Sequence, residues 1–170
     1  MIENNWFAIY TRPNAEKKVY SKLVTLGYNA YLPLVSSVRE WSDRRKKITT
    51  PLISTFVFIK IEKSKLYNTL EVQGALGILK YIGQPAVIKE QEIENLKILM
   101  NDSTEVSPIE NVDFEEGEDV LVTQGPFTGL VAKSLVIKGK RRIVVAIEAL
   151  GSALEVNLPL SFVVKISKKE

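Results

Sequence analysis

The chain has 170 residues, of which 45% are hydrophobic, a formal charge of +3, and neither cysteine nor histidine. This size and composition predict a folded protein with one medium core or two small ones. Without these two residue types there is no disulfide, no thiolate nucleophile and no imidazole base or metal ligand, so we predict a non-enzymatic protein without cofactor or metal. The N-terminus lacks the pattern of a secretion signal, and no apolar run approaches the roughly 18 residues of a spanning helix, which predicts a cytoplasmic protein without membrane contact.

The first elements are a strand and a helix. The aromatic and β-branched run from Trp6 to Tyr10 predicts the strand, and Asn14 is the expected N-cap of the helix. Apolar residues then recur at helical spacing until Gly27 ends the helix. These residues are Ala15, Val19, Leu23 and Leu26.

The following segments predict more strands than helices. Extended structure is expected over 29–34, 38–41, 54–61 and 77–83, with an exposed loop or hairpin tip at 42–47. Short helices are expected at 63–70 and 90–100. The order predicts a mixed α/β unit with a mainly antiparallel sheet.

Side-chain alternation makes both faces of this predicted sheet apolar. In the first strand Trp6, Ala8 and Tyr10 share one face, and in the later strand Phe56 and Phe58 oppose their β-branched neighbours. Helices could cover both faces. Alternatively, one aromatic face is left partly uncovered and docks a helix of a partner protein.

A polar and acidic stretch separates this part from the rest of the chain. It runs through Asn101, Asp102, Ser103 and Thr104 to Asp113, with few large apolar residues. We therefore predict a first domain at 1–101, a linker at 102–112 and a second domain at 113–170.

The second domain is predicted to be a small five-stranded β-barrel. Five short β-branched runs, at 120–122, 131–136, 143–147, 154–158 and 162–166, are separated by turn signals containing Gly or Pro. Its opening segment, GEDVLVTQGPFTGLV from Gly117 to Val131, places a strand, a Gly-Pro turn, the exposed-looking Phe127 and a second glycine in order. By spacing alone this segment predicts only a tight hairpin.

Both halves resemble the NusG family. The segment GEDVLVTQGPFTG resembles the KOW motif, which implies motif positions Gly117, Asp119, Val120, Val122, Gly125, Pro126, Phe127 and Gly129. The segment WFAIYTRPNAEKKV, from Trp6 to Val19, resembles the opening strand and helix of the NusG N-terminal (NGN) domain, especially in paralogs of the UpxY and RfaH type. The likeness continues in order through YLPL, REWSDRRKK, PL and FVFI, and covers nearly the whole chain.

The resemblance implies a fold, a partner and a mechanism. The fold is α+β, an NGN-like α/β sandwich followed by a five-stranded KOW or SH3-like barrel. In such proteins the aromatic groove of the first domain binds the clamp helices of RNA polymerase and suppresses pausing. The positions implied for that contact are Tyr10, Phe56, Phe58, Tyr81 and Ile82, with 65–69 in a loop that reaches the far side of the cleft. Ordinary core packing remains the alternative for each of them.

The resemblance also implies a surface of basic residues that contacts nucleic acid. Lys18 and Lys22 lie one helical turn apart and form one edge with Arg12, which the resemblance directs at upstream or non-template DNA. The run Arg44, Arg45, Lys46 and Lys47 is expected to contact phosphates from a hairpin tip. In each case a solvated charged surface is the alternative.

Two departures from the family pattern qualify these expectations. General NusG factors have an aromatic-Pro-Gly-Tyr sequence where this chain has Ile53-Ser54-Thr55-Phe56, which leaves the turn geometry open. The KOW pattern usually has another glycine near Ala132. A contact between the barrel and a small-subunit ribosomal protein, with Phe127 taking part, is therefore only suggested. Although RfaH can fold its second domain as a helical hairpin, the Val, Ile and Gly content here predicts strands.

The sequence thus predicts a monomeric, specialised NusG paralog that promotes elongation or antitermination, with polysaccharide operons suggested by the UpxY likeness. The competing hypothesis is an RNA- or ribosome-associated KOW adaptor that does not bind polymerase. An enzyme using Asp119 or Glu148 is the third alternative, but no convincing catalytic constellation supports it.

Overall fold

The computed structural model describes residues 3–110, 113 and 116–167. The chain divides into two compact units, Met1–Glu90 and Gln91–Glu170. Antiparallel sheets form the framework of each unit, which confirms the predicted α+β class.

The first unit alternates strands with helices. Its elements are β1 (Asn4–Thr11), α1 (Glu16–Thr25), β2 (Asn29–Tyr31), β3 (Leu34–Trp41), β4 (Arg44–Pro51), β5 (Phe56–Glu62), a 3-10 helix (Lys63–Glu71), β6 (Ala75–Ile78), β7 (Lys80–Tyr81) and β8 (Gln84–Pro85). Four strands form one sheet in the order β2-β5-β1-β6, and every neighbouring pair is antiparallel. The β3–β4 and β7–β8 pairs are separate two-stranded hairpins.

The core of this unit lies on one face of the four-stranded sheet. Phe7 and Ile9 of β1 and Val57 and Ile59 of β5 are buried there with residues of α1 and the 3-10 helix. Because side chains alternate along a strand, Trp6, Ala8 and Tyr10 point to the opposite face with Phe56 and Phe58. The structure therefore confirms the predicted alternation of side chains along β1 and β5.

Helix α1 ends as expected but begins differently. Gly27 has φ +88°, and the N–H groups of Gly27 and Tyr28 donate to the carbonyls of Val24 and Leu23, which is a Schellman ending. The prediction of Asn14 as N-cap is wrong, because Ala15 occupies that position and Asn14 has φ +65° in the preceding turn.

The second unit is strand-rich. Its elements are α2 (Glu90–Leu99, whose first residue closes the first unit), a 3-10 helix (Met100–Glu105), β9 (Val106–Ile109), β10 (Glu118–Val122), β11 (Val131–Ile137), β12 (Lys140–Ile147), a 3-10 helix (Glu148–Leu150), β13 (Ser152–Val156), a 3-10 helix (Leu160–Phe162) and β14 (Val163–Lys165). The six strands form one antiparallel sheet in the order β14-β10-β11-β12-β13-β9. This is one strand more than the sequence predicted.

The additional strand, β9, lies inside the predicted linker. Proline cannot donate a ladder hydrogen bond, but Pro108 is tolerated because β9 is the last strand in the sheet. Helix α2 also differs from the prediction, which assigned it to the first domain. Its buried Asn95 side chain donates 2.8 Å to the Val131 carbonyl and accepts 3.2 Å from the Val131 N–H. Positions 111 and 112 of the predicted linker lie outside the described residues.

Candidate partner-binding surface

An aromatic pair marks the second face of the sheet in the first unit. Tyr10 of β1 lies directly opposite Phe56 of β5, and their ring centroids are 4.5 Å apart with the planes tilted by 43°. Tyr10 is 38% exposed and Phe56 is half-buried. The pair therefore presents aromatic surface to solvent at the end of two central strands, an arrangement suited to anchoring a partner.

Phe58 does not share in this surface. It was predicted as a partner contact, but it is fully buried and its ring packs 6.5 Å from that of Tyr31. Phe58 lies two residues along β5 from Phe56, on the same face but further from the strand end. The prediction is corrected accordingly, because Phe58 supports the surface from within.

The turn before Phe56 keeps a left-handed backbone without glycine. Thr55 has φ +65°, a conformation that a β-branched residue rarely adopts. Two hydrogen bonds hold it: the Thr55 N–H donates 2.8 Å to the buried Glu16 carboxylate, and the Thr55 carbonyl accepts 2.9 Å from the Thr11 N–H. The turn geometry that the sequence left open is therefore fixed by Glu16 rather than by a glycine.

A β-bulge lies beside Tyr10 on the other edge. The β1–β6 register shifts between Tyr10 and Thr11, which leaves Leu76 unpaired and 59% exposed. Gly77 lies directly opposite Tyr10, and a Cβ atom there would meet no atom within 4 Å. No sequence pattern predicts either residue, since a bulge depends on how two distant strands pair.

The β7–β8 hairpin carries a second exposed apolar group. Tyr81 is 73% exposed and Ile82 is 82% exposed. Ile82 and Gly83 have φ values of +48° and +73° in a two-residue connection, the geometry of a type I′ turn, which favours Asn-Gly. A β-branched residue in this conformation is strained by about 1–2 kcal/mol. A strained and exposed apolar residue does not stabilise the fold, so it indicates a functional role.

Three predicted nucleic-acid residues surround one cleft. Arg12, Lys18 and Lys22 are exposed and line a depression of about 1000 Å³ between α1 and the 3-10 helix Lys63–Glu71. Glu71 is the single carboxylate in this lining. The cleft therefore has a net positive lining, as an anionic ligand requires.

The second predicted basic group has a different structure from the one expected. Arg44, Arg45, Lys46 and Lys47 belong to strand β4, and the turn consists only of Ser42 and Asp43. Alternation along the strand therefore sends Arg44 and Lys46 to one face of the hairpin and Arg45 and Lys47 to the other. The prediction of a cluster at a loop tip is corrected to two pairs on opposite faces.

The KOW-like segment of the second unit is a tight connection whose polar residues are exposed and whose Phe127 is buried. Gly125 has φ +79°, and a Cβ atom there would lie 2.9 Å from the Phe162 ring, so glycine is required on both counts. Gly129 has φ +92° and donates 2.8 Å to the Val122 carbonyl. Phe127 is 2% exposed, so the expectation of an exposed aromatic is wrong. The remaining motif positions Gly117, Asp119, Val120, Val122 and Pro126 lie in or next to this connection and β10.

The acidic residues of this segment form ion pairs. Asp119 lies 2.8 Å from the Lys133 ammonium. Glu118 lies 2.7 Å from Lys165 and 3.8 Å from Arg141, and its hydrogen bond with Lys165 together with both cations holds the pKa of Glu118 below its usual value. Glu148, the other carboxylate of the enzyme alternative, begins a 3-10 turn, and its N–H donates to Glu92. The carboxylates of Asp119 and Glu118 thus have structural partners.

Two features are absent from the described part of the chain. Within it, no cluster of three or more acidic side chains is arranged to hold a metal ion. Within the same residues, no helix is long and apolar enough to cross a membrane.

The fold shows the class of protein. It is an α+β protein with a four-stranded NGN-like sheet in one unit and a six-stranded sheet in the other. The family model "Transcription termination factor nusG" matches residues 4–97, and the chain belongs to the NusG family. It is 28% identical to the transcription termination/antitermination protein NusG of Campylobacter jejuni, over 92% of this chain and 95% of that one. The Rickettsia felis NusG is 25% identical, over 94% and 89%.

A solved structure has the same fold. The structure described as "Domain interaction in Thermotoga maritima NusG" superposes with a TM-score of 0.52 at 21% identity, covering 97% of this chain and 98% of that one. At this identity the likeness concerns the fold alone.

Proposed function

We propose that this protein is a non-enzymatic transcription elongation and antitermination factor that binds RNA polymerase through its first unit. Membership of the NusG family supports the general role. The observation that carries the polymerase contact is Ile82, a β-branched residue that is 82% exposed in a left-handed turn. Neither hydrophobic burial nor backbone preference favours isoleucine there, whereas an apolar anchor for a partner does.

The contact surface consists of two groups of residues. The Tyr10–Phe56 pair forms one group, and Tyr81 with Ile82 forms the other. Exposed aromatic and aliphatic anchors on a rigid sheet and on a hairpin fit the apolar face of an amphipathic helix. The proposed partner is therefore the helical clamp of the polymerase, and bracing the clamp is how the factor would suppress pausing.

The basic cleft is proposed to contact DNA beside the polymerase. Its three cations, Arg12 directly after β1 and Lys18 and Lys22 of α1, line one cleft, so that several phosphates can be neutralised together. Because such contacts carry no base information by themselves, this cleft would position the factor rather than select a sequence.

We further propose a specialised, monomeric and cytoplasmic paralog of the UpxY and RfaH type, acting on particular operons such as those for polysaccharide synthesis. The support is the chain's likeness to those proteins together with its Thr55 turn, which differs from the Pro-Gly turn of general factors. The KOW-like second unit is proposed to bind a further factor, such as a small-subunit ribosomal protein. Since Phe127 is buried, it would shape that surface from within.

The proposal is tested with the full-length chain and core RNA polymerase in a pull-down. Tyr10→Ala and Phe56→Ala are each expected to weaken binding about 30-fold, as anchor residues do when they are truncated. Trp41→Ala is the matched control, since Trp41 is an exposed aromatic residue of the same unit outside the proposed surface. Near-native unfolding transitions of each variant exclude misfolding as the cause.

Two results would overturn the proposal. Full polymerase binding by a folded Tyr10→Ala, Phe56→Ala double variant would remove the site. Binding of the native protein to ribosomes or RNA, with no binding to polymerase, would establish the adaptor alternative instead.

A further inference from the structure

The β7–β8 hairpin has a firmly held base and a strained tip. At the base, Leu79 and Ala86 are buried, and the Leu79 N–H donates 2.9 Å to the Ala8 carbonyl of β1. Beyond the base each strand has only two residues, and the turn places Ile82 at φ +48°. So short a hairpin is marginally stable by itself, and a strained backbone persists only where surrounding contacts hold it. The tip therefore needs support from elsewhere in the unit.

The 3-10 helix Lys63–Glu71 makes two contacts with this tip. The Lys80 ammonium lies 5.7 Å from the centroid of the Tyr67 ring, which is within the range of a cation–π interaction. The Lys63 ammonium donates 3.1 Å to the side-chain oxygen of Gln84. Because a 3-10 helix rises about 2 Å per residue, Lys63 and Tyr67 lie about 8 Å apart along its axis. The helix thus contacts both strands of the hairpin, at two separate points.

These two contacts hold opposite faces of the hairpin. Directly paired residues share one side of an antiparallel ladder. The register pairs Lys80 with Pro85 on one side and Tyr81 with Gln84 on the other. A contact on one face alone would leave the hairpin free to rotate about its long axis, whereas contacts on both faces fix that rotation. The directions of Tyr81 and Ile82 are fixed with it.

We propose that Lys63 and Lys80 are positioning residues, which hold Ile82 in its partner-binding conformation before the polymerase arrives. The inference rests on the proposed function, because it gives the 3-10 helix a role in presenting the same anchor. Binding then costs less conformational entropy, since the strained turn is already formed in the free protein. The alternative is that the two lysines and their partners, Tyr67 and Gln84, contact the polymerase themselves.

The first experiment measures the free, full-length protein by NMR relaxation. When Lys63→Met and Lys80→Met are combined, the backbone order parameter at Gly83 is expected to fall from about 0.85 to below about 0.6. Lys65→Met is the matched control, because Lys65 lies on the same helix and its ammonium pairs with Glu62, 3.7 Å away. A hairpin that stays rigid in the double variant would overturn the inference.

The second experiment separates positioning from direct contact through binding kinetics on core polymerase. Tyr67→Leu with Gln84→Leu removes both contacts without changing the charge that steers association. Its association rate should fall about fivefold, as expected for loss of an exposed cation–π contact, because only molecules with a formed tip bind. Its dissociation rate should stay native, whereas Ile82→Ala, which removes an anchor, should dissociate faster. Faster dissociation of the double variant would establish direct contact and overturn the inference.

A third comparison concerns the Tyr67 ring. Tyr67→Phe keeps the π face that the Lys80 ammonium needs and should bind polymerase like the native chain. Tyr67→Leu combined with Lys80→Met should weaken binding no more than either substitution alone, because both remove the same interaction. Additive losses, or weaker binding by Tyr67→Phe, would mean that each side chain contacts the polymerase separately, and the inference would be wrong.

Failure of this inference differs from failure of the proposed function. The order parameters are measured without polymerase. A hairpin that loosens in the lysine variant, in a chain that does not bind polymerase, would reject the proposed partner while support of the hairpin by the 3-10 helix stands. Native rigidity in that variant, with polymerase binding that still depends on Tyr10 and Phe56, would reject this inference and keep the proposed function.

Discussion

The buried Glu16 carboxylate accepts a 2.8 Å hydrogen bond from the backbone N–H of Thr55, and the two residues lie 39 positions apart in the sequence. Glu16 is the first residue of α1, and Thr55 directly precedes Phe56 of the aromatic pair. The hydrogen bond offsets part of the strain of Thr55, whose φ is +65°. The position of Phe56 therefore depends on the start of the helix on the other side of the sheet.

The first prediction concerns this hydrogen bond. Thr55→Gly is expected to raise the free energy of unfolding by about 1 kcal/mol, because glycine relieves the left-handed strain. Glu16→Ala is expected to lower it by about 2 kcal/mol, because the Thr55 N–H loses its acceptor. Urea unfolding measures both. Glu16→Gln is the matched control, since its amide oxygen can still accept, and it should lose less than Glu16→Ala. Destabilisation by Thr55→Gly would contradict the argument.

The same turn shows what the sequence could and could not predict. Alternation along β1 and β5 correctly predicted which side chains share the aromatic face, because that pattern is local. The left-handed Thr55 and its support by Glu16 were not predictable, since both depend on a contact between residues distant in sequence. The bulge at Leu76 and the burial of Phe127 escaped prediction for the same reason. The basic run 44–47 was mistaken for a loop because charged residues on a two-sided solvent-exposed hairpin lack an apolar period.

The second prediction uses two equivalent turns. Ile82-Gly83 and Lys138-Gly139 both connect hairpins with two positive φ values. Asparagine is preferred at the first position, so Ile82→Asn and Lys138→Asn should each raise the free energy of unfolding by up to about 1 kcal/mol. Only Ile82→Asn should weaken polymerase binding. Thermal unfolding and the polymerase pull-down measure the two effects. An equal loss of binding in both variants, or none in Ile82→Asn, would count against Ile82 as an anchor.

The third prediction concerns the open space beside Tyr10. Gly77 lies opposite Tyr10, and a Cβ atom there has no neighbour within 4 Å. The series Gly77→Ala, Gly77→Val and Gly77→Leu should keep or raise stability, since glycine in a strand costs roughly 0.5–1 kcal/mol relative to alanine. Polymerase binding should fall progressively as the side chain grows over the aromatic surface. A series in which binding stays constant would show that the partner does not approach Tyr10 from this edge.

The fourth prediction is a pH dependence in the second unit. The pKa of Glu118 is lowered by its hydrogen bond with Lys165 and by the nearby Arg141. A lowered folded-state pKa means that the pair contributes stability above the ordinary pKa of 4.5, and that this contribution is lost as the pH falls through the lower folded-state pKa. Because Glu118 is exposed, the effect is small. Below pH 4.5 the free energy of unfolding should fall less in Glu118→Gln than in the native chain, and unfolding measured over a series of acid pH values checks this.

The last prediction concerns the side chain that joins α2 to the sheet of the second unit. The Asn95 amide makes two hydrogen bonds with the backbone of Val131, replacing a strand partner with a side chain. Asn95→Leu keeps the volume but leaves a buried donor and a buried acceptor without partners, and should cost about 2–3 kcal/mol of unfolding free energy.

Asn101→Ala is the control for that measurement, because Asn101 makes one exposed hydrogen bond, at 3.0 Å, with the Pro126 carbonyl in the same unit. It should cost less than about 1 kcal/mol. The two variants also bear on the domain boundary. If α2 is part of the second unit, Asn95→Leu lowers protection from hydrogen exchange at the Val131 amide and along β11. If the boundary instead lies at 101/102 as the sequence predicted, that protection stays at the native level and the exchange rates rise in the first unit.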